Sequence, residues 1–454
     1  MGERASCMPS CTARNFPRRR LVSVGVKTDL SRGRTLPRAA GFWVLAVAFM
    51  MLFFASAAAS PLYGVYAVRF RFSTTTLTAV FAVYVLVLLV TLLFFGSVSD
   101  FLGRRPVIVL ALVVSAGACG AFLAADGTAE LFVARALQGV ATGLASGAIG
   151  AALIELQPAG SERAALVTSA FSSAGLAVGA LATSALVQYG PAPTHLVWWL
   201  LLVVFLLAAL SVLAMQEPGA PRPGALASMR PRVGVPRQAR GTFVAALPAI
   251  IAVWALGGLY LSLGPSLAAQ LAASPNLLWG GLVIFLLAGV GAAAVGLLRG
   301  VAPRRTMLAG CAFLLAGVGV TIVAIAATTS AAFLLGTAVS GVGFGLTFTG
   351  AFRMIIALAG TERAGLIAAV FIVSYLAFSI PALIAGAATT RFGLHSTSLV
   401  YAICVAALVV IASGLLVRAG ARSPGPAPVR RVGLPPGPCT VPPCLPEDVP
   451  SAST

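Results

Sequence analysis

The stretch Gly96-Ser-Val-Ser-Asp100-Phe-Leu-Gly103-Arg104-Arg105-Pro-Val-Ile108 decides the fold of this chain. It lies between two runs without any charged residue, 77–95 and 107–125. Each run is long enough to cross about 30 Å of hydrocarbon as a helix, so the stretch is the turn of a membrane hairpin. A carboxylate this close to hydrocarbon is costly, and we expect a helix N-terminus to serve as the partner of Asp100.

The composition extends this interpretation to the whole chain. Of 454 residues, 59% are hydrophobic and only 9% are charged, and the mean hydropathy is +1.01. A soluble globular protein does not have this composition, whereas a polytopic helical membrane protein does. Twelve apolar spans are predicted at 41–66, 75–96, 105–125, 129–156, 162–187, 195–215, 242–270, 276–298, 306–327, 330–358, 364–389 and 395–418.

The positive charge is concentrated on one side of the membrane. The formal net charge is +19, and 26 of the 30 Lys and Arg residues fall in the tails and loops on one side of an alternating twelve-helix arrangement. Arg69, Arg71 and Arg391 lie opposite, and Arg135 lies in between. Cytoplasmic loops carry such an excess, so we predict a multi-pass inner-membrane protein with both termini cytoplasmic. The charge therefore does not indicate binding to nucleic acid.

The two halves of the chain repeat each other. Segment 96–108 aligns with 296–308 at an offset of 200, which places the Arg pair at 104–105 on the pair at 304–305. Two glycine pairs match at an offset of 202: Gly139 with Gly341 and Gly143 with Gly345. Parallel repeats of this kind place a transport site between the halves near the midplane. Gly300 stands where Asp100 would fall, so the predicted gate is asymmetric.

The hinge has the pattern G-x-x-x-D-x-x-G-R-R, formed by Gly96, Asp100, Gly103, Arg104 and Arg105. It resembles the signature loop between helices 2 and 3 of the major facilitator superfamily, and the chain is most similar to the bacterial drug and metabolite efflux branch. The resemblance implies an all-α fold of twelve transmembrane helices in two pseudo-symmetric six-helix bundles. It also implies alternating access, with these five residues acting as a gate that clasps the inward side of helix 11.

Composition shifts give the predicted domain organisation. We expect a disordered cytosolic N-terminal tail (1–38), a first bundle (39–215), a Pro- and Arg-rich cytosolic linker (216–241), a second bundle (242–418) and a disordered cytosolic C-terminal tail (419–454). Low hydrophobicity and high Pro content explain why the tails and the linker are not assigned to a bundle.

Span 4 carries a polar stripe. Arg135, Gln138, Thr142 and Ser146 lie on one helix face at 100° per residue. A lone Arg in a spanning segment usually faces the protein interior and marks a functional site. The segment beginning at Arg135 also resembles the family motif R-x-x-Q-G, which is linked to proton coupling there. The alternative is that Arg135 snorkels to the outer interface near Glu130.

Helices 1, 4, 7 and 10 line the cavity in the family that the chain resembles. Applied to this sequence, helix 1 contributes Tyr63, and helix 7 contributes Trp254 and Tyr260. With Arg135, Gln138 and Thr142 from helix 4, they are the predicted residues for substrate binding or coupling. For each aromatic residue, packing against lipid or a neighbouring helix is the alternative.

The sequence contains no enzymatic constellation. It has no P-loop, no H-E-x-x-H and no G-x-S-x-G pattern, and no catalytic, cofactor-binding or metal-binding residue is predicted. None of the eleven Asp and Glu residues is placed securely at mid-membrane, which leaves proton coupling open.

The predicted function is secondary active transport by a monomer in the lipid bilayer, with export of a small amphipathic or apolar drug or metabolite, with or without proton coupling. One alternative is a permease for uptake of a small organic anion. An alternative of another class is a membrane sensor or scaffold that does not transport.

Overall fold

The computed structural model describes residues 36–158, 161, 163–219, 223, 229–231, 233–360 and 363–422. The predicted disordered tails lie outside these residues, except for the short stretches that adjoin the first and last helices. Within the described part, all regular secondary structure is helical, and twelve helices are long and apolar enough to cross a membrane.

The twelve helices match the twelve predicted spans in number and order. They are α1 (Arg38–Phe70), α2 (Thr74–Phe95), α3 (Arg104–Leu123), α4 (Thr128–Leu156), α5 (Arg163–Tyr189), α6 (Leu196–Leu213), α7 (Arg237–Ser262), α8 (Leu278–Leu297), α9 (Pro303–Ala326), α10 (Ser330–Ile356), α11 (Arg363–Phe392) and α12 (Leu394–Arg422).

The hinge between α2 and α3 forms the predicted hairpin turn. After α2, a single helical turn, Ser99–Leu102, precedes the start of α3 at Arg104. Gly103 joins the two with φ = 97°, a backbone conformation that side chains with a Cβ rarely adopt. The glycine therefore allows the chain to reverse within a few residues.

Two helices of the second half differ from the predicted spans. The span predicted at 242–270 forms two helices, because α7 ends at Ser262 and a short helix, Gly264–Leu271, follows. Pro265 lies at the start of that short helix, where the missing proline N–H is tolerated. Helix α8 contains a π-helical segment, Leu286–Val290, which hydrophobic periodicity does not predict.

Helix packing shows the predicted duplication. In the first half α1 packs on α5, α2 on α4 and α3 on α6; in the second half α7 packs on α11, α8 on α10 and α9 on α12. The buried side chains form one large cluster centred on each half. The fold is therefore two pseudo-symmetric six-helix bundles.

The matched glycines of the repeat occupy matched packing positions. Gly139 on α4 faces the backbone of α2 at Tyr84 and Leu88, and Gly341 on α10 faces the backbone of α8 at Leu286 and Leu287. Any side chain at either glycine would hold the paired helices apart. Small residues allow this close approach, which drives helix association in lipid.

The two halves meet on one side of the membrane. We call the side that carries Arg104 and Arg304 the basic side, and the other the opposite side. Helix α2 packs on α11 near the opposite side, where Thr75 Oγ1 donates a hydrogen bond to the Gly386 carbonyl (3.3 Å). Further into the membrane, the rings of Phe81 and Phe378 pack with their centroids 5.1 Å apart.

A second seam joins α5 and α8 in the same half of the membrane. The Leu277 N–H, just before α8, donates to Gln188 Oε1 (3.0 Å), and Asn276 Nδ2 donates to Tyr189 Oη (3.5 Å). Gly281 lies against the Ser184 side chain one turn further along. These contacts use the opposite-side ends of both helices.

Near the basic side, the described hydrogen bonds join residues of one half only. Arg104 binds Glu155 in the first half, and Gln238 donates to the Leu358 carbonyl in the second. The halves are thus closed against each other on the opposite side.

Gly386 gives a direct test of the opposite-side seam. A Cβ at this position would overlap the Thr78 hydroxyl on α2, so Gly386→Val should disfavour the closed seam, because overpacking typically costs about 1–3 kcal/mol. A cysteine placed at Ser184, in a background without other cysteines, should then react about tenfold faster with an impermeant maleimide from the opposite side.

Gly414→Val is the matched control, since a Cβ at Gly414 meets no atom within 4 Å. Its labelling rate should equal that of the parent. Unchanged labelling of Gly386→Val would show that the seam does not depend on this contact.

Candidate substrate site and gating loop

Arg135 is buried inside the first bundle. It is 1% exposed, and its Nη1 donates to the Ser56 carbonyl (3.2 Å) and to Gln138 Oε1 (2.7 Å). Gln138 Nε2 in turn donates to the Ala55 carbonyl on α1 (3.2 Å). The guanidinium is therefore held between α1 and α4, and it does not snorkel to the membrane surface.

Two tyrosine rings complete the surroundings of this cation. The guanidinium carbon lies 4.1 Å from the ring centroid of Tyr84 and 5.9 Å from that of Tyr63. These distances suit cation–π attraction. No carboxylate pairs with Arg135 among the described residues, and its Nε and the Tyr63 hydroxyl lack hydrogen-bond partners there. The site keeps a positive charge and free donors.

The rest of the predicted stripe on α4 lies on the same inner face. Thr142 is 3% exposed, and its carbonyl accepts a hydrogen bond from Ser146 Oγ (2.6 Å). Gly143 and Gly147, beside the stripe, face Thr91 and Gly96 of α2. The glycine face therefore brings α2 close enough for its tyrosine to cover Arg135.

Trp254 on α7 is the centre of a group of aromatic rings in the second half. The ring centroids of Phe348, Phe378, Tyr375 and Phe344 lie 5.2, 5.4, 5.6 and 6.3 Å from that of Trp254. We call these five residues the aromatic cluster. The Trp254 Nε1 donor has no partner among the described residues. The cluster thus offers a broad apolar surface with one free donor.

The cation and the aromatic cluster adjoin across the boundary between the halves. Phe81 of α2 packs on Phe378 of the cluster. Tyr84, which covers Arg135, lies on α2 three residues after Phe81 and therefore on the same helix face. A ligand bound at this boundary would therefore contact a positive charge from one half and aromatic rings from the other.

Tyr260, which the sequence analysis placed on the cavity, packs inside the second bundle. It is 2% exposed, its hydroxyl accepts a hydrogen bond from Thr337 Oγ1 (3.1 Å), and its ring stacks on Phe333. Six residues separate it from Trp254, which turns it to a different helix face at 100° per residue. The structure does not bring Tyr260 together with the other site residues.

The sequence analysis missed the two tyrosines at the boundary, Tyr84 and Tyr375. Tyr84 lies on α2 and Tyr375 on α11, and the family resemblance assigned neither helix to the cavity. A signal was present, because only seven tyrosines occur in the chain and both lie within long apolar runs. Apolar runs alone do not show which of these rings meet.

The loop at 96–105, which we call the gating loop, forms ion pairs inside the first half. Arg104 pairs with Asp100 and, through Nη2, with Glu155 Oε1 (3.1 Å), and its Nη1 donates to Ser99 Oγ (2.8 Å). The Asp100 side chain is 45% exposed. Its described partner is thus Arg104. The expected contact of Asp100 with α11 is not formed in this conformation, because α2 and α11 pack on each other near the opposite side.

A carboxylate that the sequence analysis did not single out caps α3. Glu217, just after α6, accepts hydrogen bonds from the backbone N–H groups of Arg104 (2.7 Å) and Arg105 (3.1 Å). A negative charge is favourable at a helix N-terminus. The expected pairing of a carboxylate with a helix N-terminus therefore occurs here, but Glu217 provides the carboxylate and Asp100 does not.

The second half lacks the acid of the gating loop. Arg304, at the position of Arg104, donates to the Leu416 carbonyl (3.2 Å), and Gly300 replaces Asp100. Both described ion pairs belong to Arg104. The repeated loop thus forms ion pairs in the first half, whereas in the second half the described partner of its arginine is a backbone carbonyl of α12.

Two six-helix bundles that repeat one packing pattern and meet near one side of the membrane are the architecture of transporters built from parallel repeats. Residues 45–314 match the family model of the Major Facilitator Superfamily, more than half of the chain. The chain belongs to this superfamily of transporters.

Solved structures show the same fold. A peptide transporter, POT, in complex with sulfate is 14% identical with a TM-score of 0.67, over 84% of this chain and 94% of that chain. The same transporter in complex with alafosfalin is 15% identical with a TM-score of 0.68 and the same coverage. At this identity the likeness concerns the fold alone. A comparison with curated proteins found no significant match.

The gating loop yields a prediction about the transport cycle. Asp100→Asn removes the charge that pairs with Arg104, and we expect slower transport with substrate binding largely intact, because the loop is remote from Arg135. Equilibrium binding and single-turnover transport in proteoliposomes separate the two effects. Arg304→Ala, at the repeated position without an ion pair, is the control and should change transport little. Lost binding with normal cycling of residual substrate would contradict this assignment.

Arg135 yields a second prediction. Arg135→Ala should abolish transport without loss of membrane expression and weaken binding by at least about tenfold, since hydrogen bonds to charged groups contribute about 1.5–3 kcal/mol. Arg69→Ala, on an exposed arginine at the end of α1, is the matched control. Unaltered transport by Arg135→Ala would leave the guanidinium with a packing role only.

Proposed function

We propose that this transporter exports small amphipathic compounds that carry an anionic or hydrogen-bond-accepting group on an apolar, preferably aromatic, body. The observation that carries the proposal is the buried Arg135, with no carboxylate partner among the described residues, next to the aromatic cluster around Trp254. The family supplies the transport mechanism, and the site supplies the substrate class.

Each part of the site suits one part of such a compound. Arg135 keeps free donor capacity, so an acceptor group of the substrate would gain a charge-assisted hydrogen bond in a low-dielectric site. The aromatic cluster would stack on the apolar body, and aromatic pairs gain about 0.5–1.5 kcal/mol beyond burial. Because the two parts belong to different halves, the substrate would bind both at once.

A peptide fits this site less well. Its amino group would need a carboxylate or several acceptors, and the carboxylates of the described residues lie in loops or at helix ends: Asp100, Asp126, Glu130, Glu155 and Glu217. The similarity to a peptide transporter therefore does not lead us to propose peptide transport.

The proposed direction rests on the resemblance of the sequence to the efflux branch, and the arrangement of the halves is compatible with it. With the basic side in the cytoplasm, as the positive-inside rule predicts, the conformation opens toward the cytosol, and an exporter loads from there. The second candidate is uptake of a small organic anion. It is favoured by the unpaired charge of Arg135, which would suffice to hold an anion that has no aromatic body.

Transport by proteoliposomes with an imposed pH gradient tests these functions. Three radiolabelled probes differ in one property each: naphthoate is an aromatic anion, propionate a small organic anion, and ethidium an aromatic cation. We expect transport of naphthoate above that of propionate, no transport of ethidium, and loss of both anion activities in Arg135→Ala.

Each other outcome has a defined meaning. Equal rates for propionate and naphthoate would favour uptake of small anions, and preference for ethidium would refute the role of Arg135. If protein-free liposomes behave as protein-containing ones for all three probes, the sensor or scaffold alternative is favoured. A rate that follows the sign of the pH gradient would establish proton coupling.

A further inference from the structure

An apolar groove lies on the outer surface of the second bundle, away from the substrate site. It has a volume of about 600 Å³ and is formed by α11 and α12, with α7 as its floor. Tyr401 of α12 donates its hydroxyl hydrogen to the carbonyl of Ala255 on that floor (2.7 Å), which satisfies the polar group. Ile384 and Val400 on the walls are 65% and 59% exposed, so the groove opens toward lipid.

The groove has the depth of one leaflet. It runs along α12 from Thr397, near the opposite-side end, to Leu408 in the middle of the helix. Eleven residues of helix span about 16 Å, and half of the hydrocarbon thickness is about 15 Å. An acyl chain that enters from the opposite-side surface would therefore fill the groove from end to end.

Two polar side chains without a described partner lie at the surface end of the groove. Arg391 lies on α11 at seven and three residues from Ile384 and Ala388, which line the groove, and therefore on the same helix face. It is exposed and has no hydrogen-bond or ion-pair partner among the described residues. Thr397, 7% exposed, lines this end, and its hydroxyl lacks a partner.

We propose that this groove is a binding site for one anionic phospholipid of the opposite-side leaflet. An acyl chain occupies the groove, and the phosphate lies at Arg391. An apolar groove within hydrocarbon is filled by a chain and not by water, and a lone arginine beside it attracts the negative headgroup. The bound lipid supports α11 on the side that faces away from α2. Gly386, on the side that faces α2, forms the seam.

Photocrosslinking tests the site in the full-length protein in nanodiscs. The probe is a phosphatidylglycerol with a diazirine in mid-chain, and the crosslinked peptides are identified by mass spectrometry. We expect crosslinks to concentrate at Ile384, Val400 and Cys404. The exposed lipid-facing side of α6, at Leu206 and Leu210, reports the general lipid shell, and we expect at least fivefold less crosslinking there.

Two matched pairs of variants test binding of the acyl chain and binding of the headgroup separately. Ala388→Phe fills the groove and should reduce crosslinking at Val400 at least fivefold, whereas Ala387→Phe, on the neighbouring exposed residue that does not line the groove, should not. Arg391→Ala should abolish the preference for phosphatidylglycerol over phosphatidylcholine, and Arg71→Ala, an exposed arginine on the same side, should preserve it.

The proposal stands apart from the substrate assignment, because it concerns a different face of the second bundle. Equal crosslinking on α6 and in the groove would overturn it, since the lipid would then be part of the general shell. Retained crosslinking in Ala388→Phe would overturn it too. Should Ala388→Phe fail to give a monodisperse protein, Arg391→Ala decides, because this exposed side chain takes no part in packing.

Discussion

Close contact between helix backbones is the constraint on which this structure depends. In a bilayer, helices gain little by hiding apolar side chains from equally apolar lipid, so small residues must let backbones approach. Gly336, Gly343 and Gly350 repeat this contact every seven residues along α10, so α9 and α10 pack over their whole length. Between the halves, the tightest contacts at described glycines lie near the opposite side, at Gly281 and Gly386. The bundles are therefore rigid, and the seam between them can part.

The duplicated halves have diverged in electrostatics more than in shape. Arg135 and its described hydrogen-bond partners all belong to the first half, so the guanidinium moves with that half and keeps its geometry when the halves rock. All five residues of the aromatic cluster around Trp254 belong to the second half and move with it. The contact between Phe81 and Phe378 crosses the boundary and must change when the opposite side opens. Alternating access would thus separate the two parts of the site without disturbing either of them.

The sequence predicts what depends on local pattern and misses what depends on distant contacts. The twelve spans and the polar stripe at Arg135 follow from apolar length, charge placement and helical period, which neighbouring residues determine. The cap on α3 could not be predicted in this way, because Glu217 is more than a hundred residues from the N–H groups that it binds. Nor could the position of Tyr260, since a helical wheel does not show which face of α7 meets the second bundle and which meets the boundary.

Described residues near each end of the linker between the halves form hydrogen bonds with a helix. Glu217 holds its start on α3, and the Gly234 N–H near its end donates to the Gly365 carbonyl on α11 (3.3 Å). Glu217 thereby fixes the start of α3 within the first half. The geometry of the gating loop is thus set within the first half. The position of the second half determines whether Asp100 contacts α11.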